Sequence, residues 1–379
     1  MAADEGDNMS KYEKLFPTDK MSKRERVEAT LNHQPVDRVA LHDELSYNPG
    51  VIALYTGKPI SGFDYTVSDI GLAIRRSLDM CFAPHAPVGT QRVEQDGWVI
   101  QHDNWTTWVV SRPFNDVAGA RAWMKEQIAA LRRQTLDSMK TRFDYRHHMH
   151  NLQHVVGETV ICDYPINLGL CSVYSDCGMG LELFSYFYAD YPELLDEYLT
   201  PYWDLGVQRI HAIADSELFP VILIAEDFAT KQGPIFAPDF LARHLYPGLR
   251  RYVEAWHEHG IKALYHSDGN YRKAIPDLMR CGVDGFYCLE PNCGMDIVNL
   301  KNTWPQMVWA GGVDGVDLLE RGTPEQVRAE VHRHIRETNA LQTGGMFVAS
   351  SSEINPPIKP ENFKAMVDAV GELWNQDVA

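Results

Sequence analysis

The chain has 379 residues, 45% of them hydrophobic and 23% charged, a globular composition with enough apolar material for a large core. That length exceeds the ~250 residues of a minimal barrel, so one elaborated barrel and two domains are both open. Its 35 basic and 52 acidic residues give a formal charge of −17 with no basic stripe to offset it, which argues against nucleic acid and anionic lipid as partners.

Residues 1–20 (MAADEGDNMSKYEKLFPTDK) are polar and acidic, lack the apolar stretch of a signal peptide, and read as a flexible N-terminal extension. Residues 22–32 (SKRERVEATLN) set Val27 and Leu31 four apart among charges, which predicts a surface helix. Short apolar runs follow at 39–41 and 78–82. Between 91 and 111 the sequence QRVEQDGWVIQHDNWTTWVVS alternates around Asp-Gly and Asp-Asn turns, predicting an inserted β-hairpin or meander that decorates the main fold. Further apolar runs lie at 159–162, 221–225, 263–265, 285–289, 307–310 and 346–349, which makes eight with the hairpin set aside. Helical stretches intervene at 181–187, 192–213, 238–259, 271–281 and 323–339, the last with Thr323 as cap and Pro324 and Glu325 in its first turn. Apolar strands alternating with helices imply a parallel sheet buried on both faces, and eight units favour a closed (β/α)8 TIM barrel over an open doubly wound sheet. No repeat or Gly/Ser linker divides the chain, so residues 21–379 are predicted to form one barrel. No window reaches the ~20 apolar residues of a membrane span. The seven cysteines, an odd number, read as the reduced thiols of a cytoplasmic protein.

Functional side chains of such a barrel lie at the C-terminal strand ends. The apolar runs end in His42-Asp43-Glu44, Asp163-Tyr164, Glu226-Asp227, His266-Ser267-Asp268, Glu290 and Asp314, and the last ends in Ser350 to Glu353. Carboxylates crowded around a histidine shift one another's pKa values, or bind a cation that removes their repulsion. The expected metal ligands are therefore His266, Asp268 and Glu290, and the expected catalytic residues His266, Glu226 and Asp227. Asp43, Asp163, Tyr164 and Ser352 are expected to bind substrate. Glu226 and Asp227 are adjacent, so only one faces the mouth, and strand parity alone leaves open which. Plainer readings stand beside these: a core-edge histidine bonded to a carbonyl, Asp268 as a turn residue before Gly269, and Glu290 as a helix cap. Cys288 and Cys293 have no second pair and read as buried thiols, Cys288 in mid-strand. Trp98, Trp105 and Trp108, with Phe114 nearby, either cover an aromatic ligand or pack the hairpin onto the barrel. His147, His148 and His150 in RHHMH read as a solvated face.

Several segments resemble the uroporphyrinogen decarboxylase superfamily. ERVEATLNHQPVDRVALHDE resembles its opening helix and first strand, and AWHEHGIKALYHSDGNYRKAIPDLMRCGVDGFYCLEP its fifth and sixth units. MVWAGGVDGVDLLERGTPEQVRAEV resembles the seventh unit, and GGMFVASSSEINPPIKPENFKAMVDAV the eighth with the closing helix. The resemblance spans Met21 to the C-terminus and implies the barrel. It implies two chemistries. The true decarboxylases bind an octa-acidic tetrapyrrole through an Arg-rich segment after the first strand. Here that place reads HDELSYNPGV, whose acids repel a polyanion. Their Gly-His-Gly-Ile motif corresponds to Ser351-Ser352-Glu353-Ile354. The corrinoid-dependent methyltransferases of the second branch move a methyl group between a small substrate and a cobalamin on a partner protein. Their thiol-methylating members hold zinc on His-x-Cys after the fifth strand and a Cys after the eighth, matched here by His266, Asp268 and Ser352. Oxygen ligands leave a harder metal that polarises an ether oxygen. The resemblance thus implies a methyltransferase of the O-demethylating type, taking methyl from a small methoxylated, aromatic donor to cob(I)alamin on a corrinoid protein, with zinc as the metal. A decarboxylase or lyase acting on a small acid, and a non-catalytic ligand-binding barrel, are the alternatives; a monomer and a homodimer are both open.

Overall fold

The expected runs form eight parallel strands: β1 (Ala40–Asp43), β2 (Met80–Cys81), β3 (Val160–Ile161), β4 (Val221–Ala225), β5 (Lys262–His266), β6 (Gly285–Tyr287), β7 (Val308–Val313) and β8 (Met346–Ser350). The structure, a computed structural model, describes residues 13–378. The strands pair in the order β3-β2-β1-β8-β7-β6-β5-β4. A parallel bridge between Asp163 and Ile222, with the Leu223 N–H donating to the Asp163 carbonyl at 2.8 Å, joins β3 to β4 and closes the ring. The fold is a (β/α)8 TIM barrel.

Strand alternation divides the core in two. Ala40, Met80, Val160, Leu223, Leu264, Ala310 and Phe347 fill the barrel interior. The residues between them, among them Leu41, Ile161, Ile222, Ile224, Trp309 and Val348, pack outward against the helices. Both faces are apolar, as a parallel sheet sheathed by helices requires. The helices carry the signals read from the chain: Ser22 caps Lys23–Leu31 and Thr323 caps Pro324–Glu337, each in a reciprocal bond with the residue three positions on, Glu25 and Gln326. The single helix expected over 238–259 is two, Pro238–His244 and Tyr246–His257. Pro247 cannot donate within a helix and disfavours helical geometry before it, so the chain breaks at Leu245. None of the described helices is long and apolar enough to cross a membrane.

The inserted segment is a three-stranded antiparallel meander, Thr90–Gln95, Trp98–Asp103 and Thr106–Ser111. Its first turn has Asp96 and Gly97 both at positive φ, the geometry that matches a hairpin's twist. Trp98 packs against Phe114 (ring centroids 5.9 Å apart) and against Trp123 (6.2 Å) of the helix Val117–Arg133, while Trp108 stays exposed. Of this aromatic group, Trp98 and Phe114 take the packing role. His147, His148 and His150 lie exposed on the helix Ser138–Val156.

The flexible extension expected over 1–20 divides: 1–12 lie outside the described residues, and the described part, 13–20, is docked. Asp19 is buried and binds Arg38 Nε at 2.7 Å, and the Arg38 guanidinium lies 4.9 Å from the Phe16 ring centroid. Polar composition concealed this because the partner arginine lies at the other side of the first helix. Arg26 and Arg38, with Asp19, Asp37 and Asp79, form a buried ionic cluster at the N-terminal end of β1, opposite the strand C-termini.

Candidate active site

At the C-terminal ends of the strands lies a cavity of about 210 Å³. Parity decides which run-end residues reach it. In β1, His42 shares the inward face of Ala40 and packs against Phe82 and Tyr287, so Glu44 lines the cavity while Asp43 turns outward. The fully buried Asp43 carboxyl accepts from Ser350 Oγ at 2.6 Å and Ser350 N–H at 3.1 Å, clamping β1 to β8, and burial pushes it up to about 8. After β3, Tyr164 faces in, and Asp163 faces out to accept the Tyr145 hydroxyl at 2.6 Å. After β4, Ala225 continues the inward face of Leu223, and Asp227 follows it toward His266. Glu226 turns outward and accepts the N–H groups of Leu168 (3.1 Å) and Cys171, fastening the loop after β3. Burial pushes its carboxyl up to about 8, although those N–H groups pull it down. Asp43, Asp163 and Glu226, expected at the mouth, thus brace the frame.

His266 ends β5 on the inward face of Leu264 and lines the cavity. Its Nε2 is 3.4 Å from Asp227 Oδ1 and 3.9 Å from Asp268 Oδ1. Burial opposes a charge on this ring, but Asp227, then Asp268 and Glu44, outweigh it and hold the imidazolium above its usual range. For Asp227 burial likewise works upward, but His266 and the Asp268 N–H at 2.9 Å bring the carboxylate below its usual range. His266 Nδ1 is buried without a hydrogen-bond partner among the described residues.

Asp268 sits on the turn that leaves β5. Gly269 follows at φ +77°, where an added Cβ would stand 2.7 Å from the Thr230 carbonyl oxygen, so the turn demands glycine. The Gly269 N–H donates to Glu290 Oε2 at 2.6 Å, and Glu290 is spent on that turn rather than on the group around His266. Cys288 stands beside Asp268 instead. Its Sγ lies 2.9 Å from Asp268 Oδ1 and 2.8 Å from the Ser351 carbonyl, one thiol proton between two acceptors. Cys288 is not in mid-strand: it follows β6 at φ +67°, a conformation costly for a residue with a Cβ and of the kind that collects at functional sites. His266, Asp268 and Cys288 each offer a ligand atom, all within 4.8 Å of one another. Ser352 lines the cavity with its hydroxyl bonded to Glu353, itself part of the wall. The aromatic wall is Phe82, Tyr164 and Tyr287; the Tyr287 hydroxyl is buried without a partner among the described residues.

Residues 191–373, from the helix before β4 to the closing helix, match the family described as uroporphyrinogen decarboxylase (URO-D). The barrel is similar to a solved structure titled methyltransferase from Methanosarcina mazei. The two are 19% identical with a TM-score of 0.65, over 93% of this chain and 99% of that one, which shows a shared fold. Weaker likenesses reach a type I 3-dehydroquinate dehydratase from Clostridium difficile (9% identity, TM-score 0.31, 75% of this chain and 98% of that one). They also reach a sugar phosphate isomerase/epimerase from Parabacteroides distasonis (11%, 0.29, 58% and 74%). No curated protein matches the chain.

Glu44, Tyr287, Glu353 and Cys288 were missed as site residues. For Glu44 the signal was present, since it ends the same run as Asp43, but a strand apolar on both faces does not say which of two neighbours points inward. For Cys288 no local signal exists, because its place depends on a backbone turn made in the folded barrel.

Proposed function

We propose that this chain is a corrinoid-dependent methyltransferase of the O-demethylating type. It takes a methyl group from a small methoxylated, aromatic donor to cob(I)alamin carried by a separate corrinoid protein, with zinc held by His266, Asp268 and Cys288. The observation that carries the reading is the gathering of these three ligand atoms within 4.8 Å of one another, His266 and Asp268 on the cavity wall and Cys288 buried beside them, in the segment that matches the uroporphyrinogen decarboxylase family. Imidazole, carboxylate and thiol are all zinc ligands, and the unpartnered, buried Nδ1 of His266 shows that this ring's bonding is incomplete within the described residues. The set contains a sulfur where the chain alone suggested only nitrogen and oxygen. Where the superfamily's thiol-methylating members place cysteines, this chain has Asp268 and Ser352; Cys288, arriving from the next strand, supplies the soft donor instead.

His266, Asp268 and Cys288 would hold a divalent metal whose Lewis acidity would polarise the ether oxygen and stabilise the departing aryloxide. The chain's own groups do the rest. Asp227 keeps negative charge beside His266, strengthening the ring's hold on a cation. Phe82, Tyr164 and Tyr287 offer apolar faces to a flat donor. A cavity of about 210 Å³ takes a single-ring donor and not a corrin, so the chain's task is to hold the donor with its methyl group toward the mouth. The decarboxylase alternative suits the site less well, since among the described residues no Lys or Arg lines the cavity to hold a carboxylate.

The test is methyl transfer from methoxyarenes to chemically reduced cobalamin, with metal analysis of the purified protein. The reading expects one equivalent of zinc and metal-dependent formation of methylcobalamin. Protein that binds no divalent metal and methylates no corrinoid from any donor would sink it.

A further inference from the structure

The cavity has a charge pattern that the metal group does not absorb. Glu44, after β1, and Glu353, after β8, line it together with Asp268, and among the lining residues there is no lysine or arginine. His85 Nε2 stands 3.7 Å from Glu44 Oε1, and the Ser352 hydroxyl is bonded to Glu353. The carboxylates share their space with three aromatic rings. Phe82 meets Tyr164 edge to face at 5.8 Å and Tyr287 at 5.1 Å. Ring faces carry negative quadrupole density, and a cation held against them gains electrostatic energy that a neutral or anionic group does not. The third element is the Tyr287 hydroxyl: the residue is 3% exposed, lines the cavity, and has no hydrogen-bond partner among the described residues. The oxygen is itself covered, so an ammonium group reaches it only as the wall around it gives, and there it can accept a hydrogen bond.

We infer that Glu44, Glu353, Phe82, Tyr164 and Tyr287 form a cation subsite, and that the methyl donor of this enzyme carries a positively charged amine and no carboxylate. The inference rests on the proposed reading of the cavity as the donor site and narrows its substrate class. It separates two kinds of methoxyarene that the metal group alone does not distinguish. A methoxybenzoate brings its charge toward Glu44 and Glu353 and is repelled; a methoxybenzylammonium of the same shape is attracted. One carboxylate is on the loop after β1 and the other on the loop after β8, strands that pair directly, so the two act on the same end of a ligand.

The experiment is calorimetric binding to zinc-loaded protein without cobalamin, using para-methoxybenzylammonium, para-methoxybenzyl alcohol and para-methoxybenzoate. The expected order is ammonium, alcohol, benzoate, with the ammonium at least about tenfold tighter than the benzoate after discounting for partial solvent screening. In Glu44→Gln/Glu353→Gln protein the ammonium-to-benzoate ratio falls by at least about tenfold. Tyr287→Phe, which keeps the ring, weakens the ammonium and leaves the alcohol less affected. Benzoate binding as tightly as the ammonium, an unchanged ratio in the double variant with its circular dichroism intact, or no ammonium binding at all would each overturn the inference. Methyl transfer from neutral methoxyarenes alongside any of those results would leave the proposed function standing, so the two ideas fail separately.

Discussion

Asp79 is the sharpest test of how the barrel separates stability from chemistry. It is completely buried and accepts four hydrogen bonds: from Arg26 Nη1 at 2.9 Å, Arg38 Nη1 at 2.6 Å, Arg38 Nη2 at 2.9 Å and the Leu41 N–H at 2.9 Å. Burial works against its charge, but the two guanidinium groups prevail and hold the carboxyl far below the usual carboxylate range. Asp79→Asn keeps the shape, leaves Leu41 an acceptor and removes the charge, while the new amide N–H₂ confronts guanidinium donors. Two arginines then share only Asp19 and Asp37. Breaking a buried ionic group in this way costs about 3–5 kcal/mol, a large share of the roughly 5–15 kcal/mol that holds a domain together. The surviving partners place the expectation near about 3 kcal/mol. Urea unfolding at neutral pH measures it as a lower midpoint at unchanged slope. Because the folded carboxyl lies below its unfolded value, the contribution is present above about pH 4 and is lost as pH falls further, so wild type and variant converge in acid. A loss below about 1 kcal/mol at neutral pH would show that the network is not cooperative in the sense argued. Zinc content should not change, since the cluster lies at the opposite end of the barrel.

Three further outcomes follow from the geometry. Cys288→Ala should bind zinc more than about tenfold more weakly, since even outer-shell partners of a metal are worth ten- to a hundredfold. Cobalt-substituted wild-type protein should show a thiolate charge-transfer band in the near ultraviolet that this variant lacks; a band retained in the variant refutes the ligand assignment. Glu226 is raised to about 8 in the folded protein, so its contribution to stability is full below about pH 4 and declines as pH rises toward 8. Glu226→Gln should remove up to about 1.4 kcal/mol per pH unit of that slope, read as flatter melting temperatures between about pH 5 and 8; parallel curves would contradict it. Gly285→Ala puts a Cβ 2.3 Å from the Val308 carbonyl oxygen in the neighbouring strand and should cost at least about 2 kcal/mol by thermal unfolding, with a neutral effect counting against the close pairing of β6 and β7.

Much of the architecture was legible because apolar runs, turn pairs and caps are local. The eight runs, the meander turn at Asp96-Gly97 and the Thr323 cap all lie where short-range physics puts them. The site was legible as a region and not as a residue list. Six runs ended in Asp, Glu or His, but in Asp43-Glu44 and Glu226-Asp227 the choice between neighbours is made by a side-chain period of two whose phase is hidden when both faces are apolar. His266 and Asp268 fall where the chain suggested because their turn is fixed by Gly269. Glu290 bonds to Gly269 and Cys288 stands beside Asp268 for a reason no local pattern carries: the backbone reverses its handedness at Cys288 and turns a nominal core thiol toward Asp268. The tie between Asp19 and Arg38 was equally hidden, being a contact between the segment before the first helix and the bend that leads into β1.

The barrel's circumference is uneven. β4 with β5, and β7 with β8, each share five residue pairs, whereas β2 and β3 are two residues long and a single bridge at Asp163 joins β3 to β4. His266, Asp268 and Cys288 stand on the stiff arc; Phe82 and Tyr164 hang from the weakly stitched one. Amide protons along that thin arc should therefore trade with deuterium first, giving the pocket one rigid jaw and one that breathes. A donor gripped between the two would be felt as slowed exchange around Phe82 and Tyr164 long before anything changed at the opposite jaw.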